Sequence, residues 1–349
     1  MWYVSIMMSD LSLWQMVGIF IMCTVVIAVA GTKLTIIAEK LAEITGIGQA
    51  LVGAVAIGIV TSLSGVIVAF YAAFEGHAAL SIATSIGGLP VQTAFLAIAD
   101  LTYRRVNLEH ASASLGNLSQ SALLFILMSL PLLAMASPEM TFLGVHPFTP
   151  ILFIAYIFGL HIVRKIQQNP MWFPRDTNQT QHESEASEQK RVSAHVLRTL
   201  IVKFCILAFI LCFVGLVLAQ VAIALSEKTG LSGTIVGGLF TAVSTSLPEL
   251  ITTIVAVRRA ALNLAVGNII GGNSFDVLFI AGADIFYHEG SLYHQIETDH
   301  IGIMATAMLM TGFLLLGLLR REERGPVSIG FESLFVLGIY GMMVLILLV

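Results

Sequence analysis

Charge is what this sequence has least of. Asp, Glu, Lys and Arg make up 11% of its 349 residues, against about 25% in an ordinary soluble domain. A water-soluble fold of that size could not cover itself with so little polar surface. Cysteine is scarce too: Cys23, Cys205 and Cys212 all fall in apolar stretches, which argues against a disulfide framework and a thiolate zinc site. The first ten residues carry no basic region and no small-residue cleavage pattern, so no signal peptide is expected there. A formal net charge of −4 is too weak to imply a nucleic-acid partner. No P-loop and no His-Glu-x-x-His string is present, so neither nucleotide-driven nor zinc-hydrolase chemistry has a motif. An enzyme is not expected.

What remains is hydrocarbon. Apolar residues make up 57% of the chain and the mean hydropathy is +0.92, so lipid is the expected solvent. About 20 mostly apolar residues cross a bilayer. Ten such segments are predicted, at residues 13–30, 47–74, 78–101, 118–136, 147–163, 201–225, 234–257, 262–287, 301–319 and 328–349. Of 17 Lys and Arg residues, only Lys228 falls in an even-numbered loop. The positive-inside rule then puts odd loops in the cytoplasm and both termini outside. Residues 164–200 form the longest loop, and its Gln-, Ser- and Glu-rich middle reads as a linker. It divides the chain into halves at 1–163 and 201–349. No signal for an oligomeric assembly is present.

The halves repeat. A constant shift of 184 residues places Thr61-Ser62-Leu63 on Thr245-Ser246-Leu247, Ile86-Gly87-Gly88 on Ile270-Gly271-Gly272, and Asp100 on Asp284, without a gap. The copies, at about 47–101 and 234–287, begin five spans apart, so they insert in opposite directions. Inverted repeats enclosing a midplane site are common in secondary transporters.

Both copies interrupt apolar helix with polar residues. Pro248 removes a backbone donor and clashes with the preceding turn, so the span should break near Ser244-Thr245-Ser246. Glu249 and Asp276 are the deep acids of the second copy, and no Lys or Arg lies in either cluster. An ionised carboxylate mid-bilayer costs at least about 2.5 kcal/mol. A cation or a proton is the natural counter-charge, and oxygen ligands favour hard ions such as Na⁺ or Ca²⁺. The competing readings are structural: a polar pair packing helices for the acids, and back-bonding to the preceding turn for the hydroxyls. Asp100 and Asp284, near span ends, read as interfacial caps.

Thr245-Ser246-Leu247-Pro248-Glu249-Leu250, followed by Gly267-Asn268 and Gly271-Gly272-Asn273-Ser274-Phe275-Asp276, resembles the second α-repeat of the calcium/cation antiporter superfamily, the family of the Na⁺/Ca²⁺ exchangers. The resemblance implies an all-α polytopic membrane protein of ten transmembrane helices in two inverted five-helix repeats, with spans 1 and 6 sliding against the ion sites. The first copy departs from the pattern. Ser64-Gly65 stands where the family has Pro-Glu, Ala83-Thr84 replaces Gly-Asn, and Gln92 stands where a later Asn would. Pro90 is a candidate for the break that Pro248 makes in the other copy.

The expected ion ligands are therefore Glu249, Asp276, Thr245, Ser246, Thr61, Ser62, Asn273 and Gln92, with about two formal negative charges in place of three. The expected function is secondary active cation antiport, Ca²⁺ against Na⁺ or H⁺ with altered stoichiometry. The alternatives are a monovalent Na⁺/H⁺ exchanger and a transport-inactive binding or regulatory protein on the same scaffold. No cofactor is expected; the partners are inorganic cations, bound transiently, and the lipid bilayer. A bacterial inner membrane suits so compact a chain.

Overall fold

The computed structural model describes residues 11–45, 58–103, 107–175, 194–322 and 330–349. The long helices among them are α1 (Leu13–Thr45), α2 (Leu63–Phe74), α3 (Ala78–Thr102), a short α4 (Leu108–Ala111), α5 (Leu115–Ala136), α6 (Phe148–Gln168) and α7 (Ala194–Thr229). Then come α8 (Gly233–Thr245), α9 (Leu247–Arg258), α10 (Leu262–Asp276), α11 (Leu278–Phe286), α12 (Thr298–Arg320) and α13 (Phe331–Leu348). Eight helices are long and apolar enough to cross a membrane, and α8 with α9 makes a ninth, broken span. The second predicted span is seen only in part, because residues 46–57 lie outside the described residues.

Two expected loops prove partly helical. Span 1, expected to end near residue 30, continues as helix to Thr45, so Lys33 and Lys40 ride on it. The apolar periodicity does run on through Leu34, Ile36, Ile37 and Leu41, past the isolated lysines. Likewise α6 reaches Gln168 and α7 starts at Ala194, inside the expected 164–200 linker, whose centre, 176–193, lies outside the described residues.

Burial ranks the helices. In its apolar window α3 is 94% buried and the α10–α11 span 78%, whereas α1 is 22% and α7 only 11% buried. A helix apolar on all sides and buried on all sides belongs at the centre of a bundle, so α3 and α10 form the axis. Helices α1 and α7 pack on each other at the flank through Cys23, Ile27, Leu34, Leu211 and Leu218. Small residues let the axis close. A Cβ on Gly87 of α3 would lie 2.7 Å from Gly238 Cα of α8, so these backbones touch where lipid-soluble helices gain most from dispersion.

The 184-residue repeat is visible in the backbone. Ser62 has φ −84°, ψ 3° and Ser246 has φ −94°, ψ 2°, and each starts a new helix. Glu75 and Arg259 end those helices with φ −83° in both. Gly76 and Ala260 follow with φ 81° and 59°. The next helices then begin at Ala78 and Leu262, again 184 apart.

Candidate ion site

The breaks at Ser62 and Ser246 bring two helix ends against the middle of α3 and the end of α10. Pro248 acts as expected: α8 and α9 meet at a 42° bend, with Pro248 in the first turn of α9, the position where its missing N–H costs least. Residues 236–241 of α8 form a π turn, a distortion often found at functional sites. Pro90 does not play the matching role. It lies inside the unbroken helix α3. In the other repeat only a one-residue turn at Val277 separates α10 from α11, and the two remain a single span.

Ser62, Gly65, Thr84, Gly88, Gln92, Thr245, Ser246, Glu249, Asp276 and Phe279 enclose a space of about 10 Å³, about what one water-sized occupant needs. Each of the eight ligands expected from sequence is at most 6% exposed, so all are shielded from bulk water. Six of the eight line or closely flank the space by side chain: Ser62, Gln92, Thr245, Ser246, Glu249 and Asp276. Thr61 stands beside Glu249, as Ser62 does, and Ser62 also reaches toward Asp276.

Asn273 is turned elsewhere. Its amide donates to the Leu89 carbonyl at 3.3 Å and to Thr93 Oγ1 at 3.0 Å, so the structural reading of this residue holds for its N–H groups. Thr245 Oγ1 donates to the Thr241 carbonyl at 2.9 Å, which leaves its lone pairs facing the space. Gln92 Nε2 donates to Asp276 Oδ2 at 2.6 Å. Residues 92 and 276 are themselves 184 apart, as are 89 and 273, so both bonds join repeat-equivalent positions.

The remaining oxygens are the informative ones. Ser62 Oγ, Thr84 Oγ1, Gln92 Oε1, both Glu249 oxygens and Asp276 Oδ1 line this space and complete no protein hydrogen bond. Burying a polar oxygen without a partner costs about 1–3 kcal/mol, more when charged. Six such atoms around one small space are unlike a packed core, where nearly all are satisfied. No basic side chain lines the space. Sequence reasoning missed Gly88 and Phe279 as lining residues. Phe279 stands 184 after Phe95, and that aromatic match was the available signal.

Asp100 and Asp284 are caps. Each accepts a backbone N–H eight residues on, from Leu108 at 3.2 Å and Leu292 at 2.9 Å. Each also binds a hydroxyl of its own repeat-matched partner, Ser333 at 3.0 Å and Thr149 at 2.7 Å.

The sequence profile of the family described as "Sodium/calcium exchanger protein" matches residues 15–165 and 199–349. The chain is similar to the sodium/calcium exchanger MaX1 of Methanosarcina acetivorans, with 30% identity over 95 residues, covering 27% of this chain and 25% of that protein. It is also similar to the sodium/potassium/calcium exchanger 2 of Homo sapiens, with 38% identity over 58 residues, covering 17% and 9%. The matched stretches cover at most 33% of such relatives' own lengths. Among solved structures, the H⁺/Ca²⁺ exchanger CAX superposes with a TM-score of 0.66 at 13% identity, covering 99% of this chain and 89% of that one. The sodium-calcium exchanger NCX_Mj does so with a TM-score of 0.59 at 19% identity, covering 95% and 98%. At such identities these superpositions speak for the fold.

Proposed function

The chain belongs to the sodium/calcium exchanger protein family, and from that premise we propose that it is a secondary active antiporter that exchanges Ca²⁺ against Na⁺ or H⁺ through the space between Glu249 and Asp276. The observation that carries this reading is the set of six buried oxygens that complete no protein hydrogen bond around a space for one small occupant. Ca²⁺ takes six to eight oxygen ligands, and a desolvated carboxylate pair needs a positive partner. The relatives named as a sodium/calcium exchanger and a sodium/potassium/calcium exchanger support the same ion class.

The charge arithmetic favours a two-for-one stoichiometry. Glu249 and Asp276 together carry two negative charges when ionised, and Gly65 supplies none where the second copy has Glu249. One Ca²⁺ neutralises the pair, and so do two monovalent ions or two protons. Exchange of one Ca²⁺ for two monovalent cations is then electroneutral. A second reading, monovalent Na⁺/H⁺ exchange, is favoured by the Gln92 amide, which occupies Asp276 Oδ2 and removes one oxygen from a divalent shell.

The wider reading places ten spans in two inverted five-helix halves, both termini outside, in a bacterial inner membrane. The test is flux into liposomes holding the purified full chain, with Ca²⁺, Na⁺ and H⁺ gradients varied one at a time. Ca²⁺ uptake driven by an opposing Na⁺ or H⁺ gradient, insensitive to a clamped membrane potential, is the expected result. Na⁺/H⁺ exchange indifferent to Ca²⁺ would select the second reading, and no flux under any gradient would leave a transport-inactive protein.

A further inference from the structure

On the flank of the bundle, α1 and α7 part to leave a cavity of about 460 Å³ lined by Lys33, Ile36, Ile37, Lys203, Ile206 and Leu207. Its wall is almost wholly apolar, and both lysines are exposed at its edge. Lys40, two turns beyond Lys33 on the same face of α1, is exposed as well. Glu39 falls on the flank of that face, and no acidic residue lines the cavity. Among the described residues, neither Lys33 nor Lys203 makes an ion pair.

Depth fixes what can sit there. Lys33 lies 20 residues after Leu13, the start of α1, so it is about 30 Å along the helix axis. That is about the thickness of the hydrocarbon core. The two ammonium groups therefore stand at headgroup level; Ile206 and Leu207 follow Lys203 into the hydrocarbon on α7, whereas Ile36 and Ile37 follow Lys33 toward the cytoplasm on the antiparallel α1 and wall the slot at headgroup level. Basic pockets between spans on the cytoplasmic side suit anionic headgroups, and the basic residues of the odd loops put this face there.

We propose that this cavity is a binding site for one anionic phospholipid of the same leaflet, its phosphate between Lys33 and Lys203 and an acyl chain leaving the slot past Ile206 and Leu207. The site adjoins the moving part of the proposed transport cycle. Gly31, two residues before Lys33, packs so closely on Pro248 that a Cβ there would lie 2.4 Å from its ring. A lipid wedged between α1 and α7 thus bears on the contact between α1 and the break beside Glu249. The binding itself rests on the membrane reading alone, so it stands or falls separately from exchange.

The full chain is reconstituted in vesicles of phosphatidylcholine mixed with phosphatidylglycerol, released in mild detergent, and weighed intact by native mass spectrometry. The wild type is expected to retain one phosphatidylglycerol in preference to phosphatidylcholine. Each lysine near a membrane surface contributes about 1 kcal/mol to anionic-lipid binding. Lys33→Gln or Lys203→Gln should therefore lower the preference about 5-fold, and the double variant about 30-fold. Lys33→Arg with Lys203→Arg should restore it. Ile206→Trp, which keeps both charges and fills the slot, should also lower retention. Equal retention of the two lipids by the wild type, or an undiminished preference in the double Gln variant, would overturn the site. Undiminished retention in Ile206→Trp would overturn the acyl slot.

Discussion

The two repeat copies share a scaffold and divide the chemistry unequally. Both break at the residue-62/246 position with nearly the same torsions, although only the second has a proline two residues on. Both turn at the 76/260 position with positive φ, although one has glycine and the other Ala260, where a Cβ costs about 1–2 kcal/mol. The backbone path is thus enforced by packing, not by the local residue. The acid is another matter. Glu249 faces the enclosed space and Gly65 offers it nothing but room. Shape is common to both copies, while the site's charge belongs to the second alone.

Breaking that asymmetry at its charged side has the largest expected effect. Glu249→Gln keeps the side-chain shape and removes one of two negative charges. Exchange in liposomes should fall to background while the protein still elutes and melts as the wild type does. Wild-type flux in this variant would remove Glu249 from the mechanism. A smaller loss comes from volume. A Cβ on Gly88 would lie 3.4 Å from Asp276 Oδ2 and 3.6 Å from Ser246 Oγ, so the Gly88→Ala methyl contacts ligands and fills a space of about 10 Å³ while removing none of them. Overfilling a packed site costs about 1–3 kcal/mol, and a weakening of Ca²⁺ binding by about tenfold or more is expected, read by isothermal titration. Unchanged affinity would mean that the ion sits away from α3.

Sharpening the comparison means giving the first copy what the second has. A Cβ on Gly65 would stand 3.4 Å from Phe279 and 3.6 Å from Thr245 Oγ1, in ordinary contact, so the position points at the site. Gly65→Glu should raise Ca²⁺ affinity, since ligand charge count tunes such sites, and should make exchange depend on membrane potential. Ca²⁺ affinity at the wild-type level would show that an acid at residue 65 does not reach the ion.

Much of this was legible in the residues. Pro248 announces its break because a missing N–H acts locally. Glu249, Asp276 and the hydroxyls beside them stand out because oxygen is expensive in lipid and their neighbours are apolar. Asp100 and Asp284 could be read as caps from their place at span ends. Other features depend on what lies across the bundle. Pro90 suggested a break, yet α3 absorbs it while packed on all sides. Asn273 matched an ion-binding motif but spends its amide on Leu89 and Thr93 of α3. Lys33 and Lys40 looked like a loop because charge ends an apolar run, whereas α1 carries both along one exposed face.

The same inequality recurs at the two ends of the repeat, where the acids are caps. At the Asp284 end one carboxylate meets three donors: Leu292 N, His146 N at 2.9 Å and Thr149 Oγ1. At the Asp100 end the repeat-matched neighbours are acids. Glu109 stands where the other end has Tyr293, and Glu332 where it has Phe148. Asn107 satisfies Glu332 Oε1 at 2.7 Å, but Glu332 Oε2 and Glu109 Oε2 find no donor. Burial, and then repulsion from Asp100 and Glu332, push the Glu109 carboxyl well above its ordinary value of 4.5. A proton is therefore held more tightly folded than unfolded. Stability from this residue is complete below about 4.5 and is lost as pH rises toward the folded value. Each tenfold gain in proton affinity on folding amounts to about 1.4 kcal/mol. Glu109→Gln removes the titration and supplies an amide donor to Glu332. Its melting temperature in detergent should match the wild type in acid and exceed it increasingly toward alkaline pH. A constant difference at every pH would show that packing, not charge, distinguishes this end from its Tyr293 counterpart.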